Sequence, residues 1–557
     1  LHRWIWTQEL LRGWRHETPI DTDHAIGRTL NLGYPIHGEL PVLNANFDHI
    51  SSLTLKGYPT TRGAPGFLTH FPNLRTLHLS DVALNTIPPE VIALSHLDRL
   101  TLRNCNLTLQ NRADLDPFTG LKSLDLSNNN QLSRSPNLGH MPELQTLNLS
   151  GTHISLFPEN LLNRPQLVSA DLSNNYLSRL PDLIFQLPGN AAKAFNLSGN
   201  GFSRATLQRI KAYCQITGEH FGADANPAQR LMVQALYPKY SVDQANNFIF
   251  RLPGGLDDSM AHLVRLKADY ERLQADLQEW IVSVPAQHPL TRAPLDEQAQ
   301  AQQQLVRDEL KTVLEAAWRR ETALDSDQEP PAASHEMEVT LAPLGDLPSL
   351  NIDFEHISKL ELRAEETTSI PQGFLEHFPN LESLLIYRYA LNDIPGAVFN
   401  LPKLKSLSLA NSHIRLTTTS ADALSDLQNL EYLDLSHNPL GVAPDISKMS
   451  GLTGLMIEEA GLTQVPNGIF NLPSLDQVSL RNNQISELPS DLLEMDADRA
   501  QGFDLSGNPF SPAAIAMLRS YYNRTAVSFD VPEALQPPPI NPNQDSVSGG
   551  PDTEGDE

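Results

Sequence analysis

Cys105 and Cys214 are the only thiols in the chain, and either could act as a nucleophile if its surroundings lowered its pKa. Asp125, Asp171, Asp434 and Asp504 recur at one place in a repeated phrase, where paired carboxylates could do acid–base work or hold calcium. His335-Glu336 begins like a zinc-protease motif, but no second histidine stands three residues on. The 18 histidines are scattered, so any metal site would need pairs brought together by folding. Neither a phosphate-cradling Gly-x-x-x-x-Gly-Lys-Ser/Thr loop nor a strand-to-helix Gly-x-Gly-x-x-Gly occurs. These residues suggest no catalytic, cofactor or metal site, and the elements that would position them explain why.

Leu121 to Asn129 reads Leu-x-x-Leu-x-Leu-x-x-Asn, which resembles a leucine-rich repeat. Leu121, Leu124 and Leu126 should point inward, while the Asn129 side chain bonds backbone groups of neighbouring coils. One coil cannot bury its own apolar face, so coils must stack. Ladder positions equivalent to Asn129 recur at Tyr58, Val82, Cys105, Thr152, Asn175 and Asn200. A second set stands at Glu365, Tyr389, Ser412, Asn438, Ala460, Asn483 and Asn508. The fold class is therefore an α/β repeat: two solenoids of seven coils each, separated by a helical hairpin and closed by helical caps. Cys105 then replaces a ladder asparagine, and the four aspartates lie on the exposed side of strands.

The whole module is duplicated. Leu10 to Thr18 returns as Leu314 to Thr322, with Trp14 matched by Trp318, and Phe67-Leu-Thr-His-Phe71 returns as Phe374-Leu-Glu-His-Phe378. Cys214 is matched by Tyr522, so its position accepts a bulky packing side chain. The expected organisation is an N-terminal helix and entry segment over 1–45, a first array with its cap helix over 46–225, and a helical linker domain over 226–325. A second array with its cap helix follows over 326–531, then a disordered acidic, Pro-rich tail over 532–557. In the linker, Leu263, Leu266, Tyr270, Leu273, Leu277 and Trp280 step by three and four along one helical stripe. A second helix from about Leu295 to Thr322 should pack against it as an antiparallel hairpin.

Net charge is −26, and residues 341–557 carry 30 acids against 11 bases, so −19 of it lies there. Such a field repels nucleic acid and anionic lipid, and no run of about 18 apolar residues offers a membrane span. Leu1 in place of Met suggests a piece of a longer protein, and two cysteines too far apart to pair suit a reducing compartment such as cytosol.

What remains is a surface for a protein partner, with no cofactor implied. Residues two, four and six positions before each ladder residue face outward, which gives each concave face about twenty side chains, the size of one side of an interface of about 20 to 30 residues. The first face is polar, with His78, Arg99 and Arg103 at one end. The second carries Leu385, Tyr387, Tyr432 and Met456, large apolar groups that mark a contact site.

The Leu-Pro and Ile-Pro returns, the Leu-Ser-Gly-Asn phrases and Trp318-Arg-Arg-Glu-Thr322 resemble the large leucine-rich-repeat effectors of Gram-negative bacteria. The resemblance implies a protein secreted into host cytoplasm, or held in bacterial cytoplasm, whose repeats select a host protein. In that family a separate C-terminal domain, the novel E3 ligase domain, transfers ubiquitin through a Cys-x-Asp cysteine. Here Cys105 is followed by Asn-Leu and Cys214 by Gln-Ile, so the resemblance covers only the targeting region, and any ligase chemistry would belong to a full-length parent.

Overall fold

Alternate side chains of a strand point to opposite faces, so each Leu-x-Leu phrase becomes a short strand with both leucines on the buried side. Leu121, Leu124 and Leu126 are at most 1% exposed. The computed structural model describes residues 1–24, 27–63, 66–327 and 334–536. The chain divides into two compact units, Leu1–Lys267 and Ala268–Glu557.

The first unit opens with α1 (His2–Trp14) and runs through β1 (Arg28–Ile36), β2 (Ile50–Gly57), β3 (Thr76–Ser80), α2 (Pro89–Ile92), β4 (Arg99–Arg103), β5 (Ser123–Asp125), β6 (Thr146–Asn148), β7 (Ser169–Asp171), α3 (Gly189–Ala192) and β8 (Phe195–Asn196). The strands form one parallel sheet in sequence order. Helix α4 (Arg204–Thr217) closes the stack, capped by Ser203, whose hydroxyl accepts the Thr206 N–H at 3.3 Å. Helices α5 (Pro227–Leu236) and α6 (Val242–Arg251) follow. The buried Lys211 of α4 donates to the carbonyls of Ile249 and Leu252 at the C-terminal end of α6, at 3.0 and 2.7 Å. Burial lowers its pKa, and the two carbonyls take up the ammonium's hydrogen-bonding capacity.

Helix α7 (Asp258–Val282) runs on from the first unit into the second, where α8 (Glu297–Trp318) lies antiparallel to it. Tyr270 stacks on Trp318 with ring centroids 4.7 Å apart, and Lys311 reaches Gln278 at 3.1 Å. Then come β9 (His335–Val339), β10 (Gly345–Asp346), β11 (Ile357–Arg363), β12 (Thr368–Ser369), β13 (Ser383–Tyr387), β14 (Ser406–Ser408), α9 (Thr418–Ala423), β15 (Tyr432–Asp434), β16 (Gly454–Met456), β17 (Gln477–Ser479), α10 (Ala497–Ala500), β18 (Phe503–Asp504) and the closing α11 (Pro512–Thr525). All but β10 and β12, which pair with each other, form the second parallel sheet. Ser511 caps α11 by accepting the Ala514 N–H at 3.2 Å, with Pro512 in the first turn, as the Ser-Pro pair predicts.

Each sheet has eight strands, one more than the seven coils of its array, because β1 and β9 precede the first ladder residue and carry no ladder signature. Two expectations are corrected. Residues 226–325 are not a separate linker domain: α5 packs on α6 and α6 on α4 in the first unit, whereas α8 and the end of α7 belong to the second. Pro532–Leu535 forms a 3-10 turn against α11, with Ala534 1% exposed, because its apolar residues close the last coil. The rest of the expected tail, 537–557, lies outside the described residues.

Candidate functional site

The ladder residues hold the coils as expected. Asn129 Oδ1 accepts the N–H groups of Cys105 and Leu107 at 2.8 and 3.0 Å, and its Nδ2 donates to the carbonyls of Leu102 and Leu126, both at 2.7 Å. Asn175, Asn438 and Asn483 repeat the arrangement. The residue before the ladder position turns the chain with positive φ, as at Asn128 (59°), Asn174 (55°) and Gly199 (69°). Asparagine and glycine tolerate that conformation best, hence the Asn-Asn and Gly-Asn phrases.

The residues that could do chemistry are spent on structure. Asp125, Asp171, Asp434 and Asp504 each accept the N–H of the serine two residues on, at 2.8 to 2.9 Å, and so fasten the turn that leaves each strand. Both cysteines are buried and unbridged, and burial pushes each thiol's pKa up to about 12. At neutral pH they are protonated. His335 and Glu336 lie in a strand, not on the helix a zinc-protease motif needs, and His335 Nδ1 donates to the Thr322 carbonyl at 2.8 Å. Among the described residues no group of three or more His, Cys, Asp or Glu side chains could hold a metal ion.

The exposed faces of the sheets are the remaining surface. In the first unit the strand register aligns Thr29, Ser52, Thr76, Arg99, Ser123, Thr146 and Ser169 in one row, and Asn31, Thr54, His78, Thr101, Asp125, Asn148, Asp171 and Asn196 in the next. His78 lies on β3 opposite Thr101, with Arg99 and Arg103 at the two ends of β4, so the three stand in three different rows. Burial, opposed by Asp125 and helped by Arg103, lowers the His78 pKa. Arg99 is paired with Asp23 at 3.4 Å.

In the second unit the register corrects the expected patch. Leu385 and Tyr387 share β13, Tyr432 is on β15 and Met456 on β16, while β14 contributes Ser406 and Ser408. Leu385 and Met456 share a row, but Ser408 and Asp434 stand between them, joined by a hydrogen bond of 3.1 Å. The four groups occupy three rows and do not form one continuous apolar strip. Only Tyr387, at 37%, is exposed; the other three are half-buried. The Tyr432 ring lies across β16, where a Cβ on Gly454 would come within 2.7 Å of it. The register carries a signal for this that the sequence reading missed: Tyr432 and Gly454 each stand six residues before a ladder position. Nearby charged side chains, also missed, are paired: Lys359 lies 3.6 Å from Glu361, and Glu361 3.2 Å from Arg363.

A family model for the leucine-rich repeat matches residues 379–440, the coils of β13 to β15. The chain carries leucine-rich repeats. A probable glycoprotein hormone G-protein coupled receptor of Anthopleura elegantissima is 31% identical over 124 residues, which is 22% of this chain and 13% of that protein. Podocan-like protein 1 of Mus musculus is 30% identical over 132 residues, 23% of each chain. The chain thus matches less than a quarter of the length of either relative. Among solved structures, a leucine-rich-repeat protein of Leptospira interrogans aligns over 82% of this chain and 96% of its own at 18% identity, with a TM-score of 0.28. The receptor kinase HAESA ectodomain of Arabidopsis aligns over 91% and 84% at 18% identity, with a TM-score of 0.30. Scores this low carry no argument, so the fold assignment rests on the ladder geometry, the parallel sheets and the family model. No helix among the described residues is long and apolar enough to cross a membrane.

Proposed function

We propose that this chain is a non-catalytic recognition scaffold that holds a protein partner on the strand face of the second unit. The observation that carries the reading is the contrast between the two faces. At the places that match Leu385, Tyr387, Tyr432 and Met456 the first unit carries the polar side chains of His78, Ser80, Ser123 and Asn148. In the second, Leu385, Tyr387, Tyr432 and Met456 stand among charged and hydroxyl groups, the composition of an interface hot spot and its polar rim. The effector-like phrase Trp318-Arg-Arg-Glu-Thr322 supports a narrower form, in which the repeats choose the substrate of a ubiquitin ligase effector acting in host cytoplasm. Ubiquitin charging of the full-length parent tests that form.

Tyr387→Asp tests the site, because this ring is the exposed one. It should weaken a partner isolated by pull-down tenfold or more, equivalent to about 1.4 kcal/mol, while Ser127→Asp on the first face changes little. Affinity and melting temperature are read on the same samples. Unchanged affinity for Tyr387→Asp removes the second face from the interface.

A further inference from the structure

The duplicated helices α1 and α8 meet different fates. Trp14 and Trp318 occupy matching positions, yet Trp14 is 54% exposed and Trp318 only 4%. Arg3 and Arg307 also match, and Arg3 is exposed while Arg307 is buried at 2%. The scaffolding around the two pairs is the same. Arg3 donates to the His37 carbonyl at 2.8 Å and Arg307 to the matching Leu344 carbonyl at 3.2 Å. Gly38 and Gly345 turn the following loop with φ of 83° and 85°. In both units the helix and this loop form the two walls of a groove.

In the second unit that groove is filled by α7. Leu273 and Leu277 are buried, and the Tyr270 ring stacks on Trp318. Ten residues on, the Trp280 indole N–H donates to the Asp346 carbonyl at 3.0 Å, with the Arg307 guanidinium 4.5 Å over the indole ring. The Asn351 amide donates to Asp276 at 2.9 Å. In the first unit the groove is an open cavity of about 940 Å³, lined by Arg3, Trp6, Leu10 and Trp14 of α1 and by Leu40 and Asn44 of the loop. Four of the groups that hold α7 have a counterpart there: Arg3 for Arg307, the Glu39 carbonyl for that of Asp346, Asn44 for Asn351 and Trp14 for the stacking Trp318, whereas Lys311, which donates to Gln278, is matched by Thr7. Leu11 stands exposed where the second unit has Glu315, which enlarges the apolar wall.

We propose that the groove between α1 and residues 39–47 is the docking site for an amphipathic helix of a separate protein that carries the side-chain pattern of α7. Its occupant presents an aromatic residue to Trp14 and leucines three and seven positions later. An acid six positions after that first aromatic bonds Asn44, and a tryptophan ten positions after it sits under Arg3. This is the helix-in-groove mode of recognition, with the internal duplicate as its template. It uses a surface separate from the strand faces.

The test titrates a fluorescent synthetic peptide of residues 266–284, the filling stretch of α7, into the intact chain. Saturable binding is expected, with the peptide gaining helical circular dichroism. Trp14→Asp in the protein, or Trp280→Ala in the peptide, should weaken binding at least tenfold. Asn44→Ala, at an exposed loop position, gives a second groove variant whose fold is not at risk, and it too should weaken binding. Absence of saturable binding overturns the proposal, as does equal binding to the Trp14→Asp chain, which would place the peptide elsewhere. A dimer of the native chain that Trp14→Asp dissociates would make a second copy the occupant, and also overturns it.

Discussion

The Asn438 side chain satisfies four backbone groups that water cannot reach. Its Oδ1 accepts from Ser412 and Ile414, and its Nδ2 donates to the carbonyls of Leu409 and Leu435. At Val82, Cys105, Thr152, Ser412 and Ala460 the ladder position instead holds a small or apolar residue, which leaves fewer polar atoms to satisfy. A second residue couples the helix to the coils and gives the fold a pH dependence. His356 Nε2–H donates to the Ala317 carbonyl at 2.7 Å, at the end of α8. Burial, reinforced by the charge of Arg320 and by His335, lowers its pKa to about 3 against an ordinary value of 6.5. The unfolded chain therefore binds a proton that the folded chain refuses, and the contribution of neutral His356 is fully present above pH 6.5 and lost as pH falls toward 3. One proton limits the slope to about 1.4 kcal/mol per pH unit. The expected outcome is that the melting temperature of His356→Asn falls less steeply between pH 6 and pH 4 than that of the parent, since their carboxylates are common to both. Parallel curves would show that the imidazole protonates in the folded state.

At the scale of the element, a strand here is only two to nine residues long, and its stability comes from leucines stacked on the leucines of its neighbours. Leu126 and Leu435 are both fully buried. Leu126→Ala and Leu435→Ala should each cost about 2 to 5 kcal/mol in denaturant unfolding, the range for leucines in packed cores. A variant that unfolds at the parent's midpoint would place that leucine outside the core. The ladder phrase made strands β2 to β8 and β11 to β18, apart from β12, legible from sequence, because each contains its own record of which side chains turn inward. It could not reveal β1 and β9. Arg28–Ile36 carries Pro35 and lacks a ladder residue, and it is a strand because β2 offers it an edge to pair with. The candidate surface was legible as a set of outward positions but not as a shape. Which apolar groups touch depends on pairing across strands, and Tyr432 is half-buried because a glycine stands on the strand beside it.

At the scale of the whole molecule, duplication has kept the interior and released the faces. The Tyr213 hydroxyl donates to the Leu187 carbonyl at 2.6 Å, and the matching Tyr521 hydroxyl to that of Met495 at 2.8 Å. On the faces one matching pair differs at both positions. Where the second unit sets Tyr432 beside Gly454, the first sets Ser123 beside Thr146, whose hydroxyl donates to that of Ser123 at 2.7 Å. Each pair fills the same space: a ring over a bare backbone, or two small side chains bonded to each other. Gly454→Thr alone brings a Cβ within 2.7 Å of the Tyr432 ring and must displace it, a change that overpacking places at about 1 to 3 kcal/mol. Tyr432→Ser alone removes the ring and leaves Gly454 uncovered. The double variant rebuilds the pair that the first unit already uses on the same backbone, so it should be more stable than the sum of the single effects by about 1 kcal/mol or more in a double-mutant cycle. Simple additivity in urea unfolding would mean that the two positions do not share their space, and that the faces of the two units diverged residue by residue.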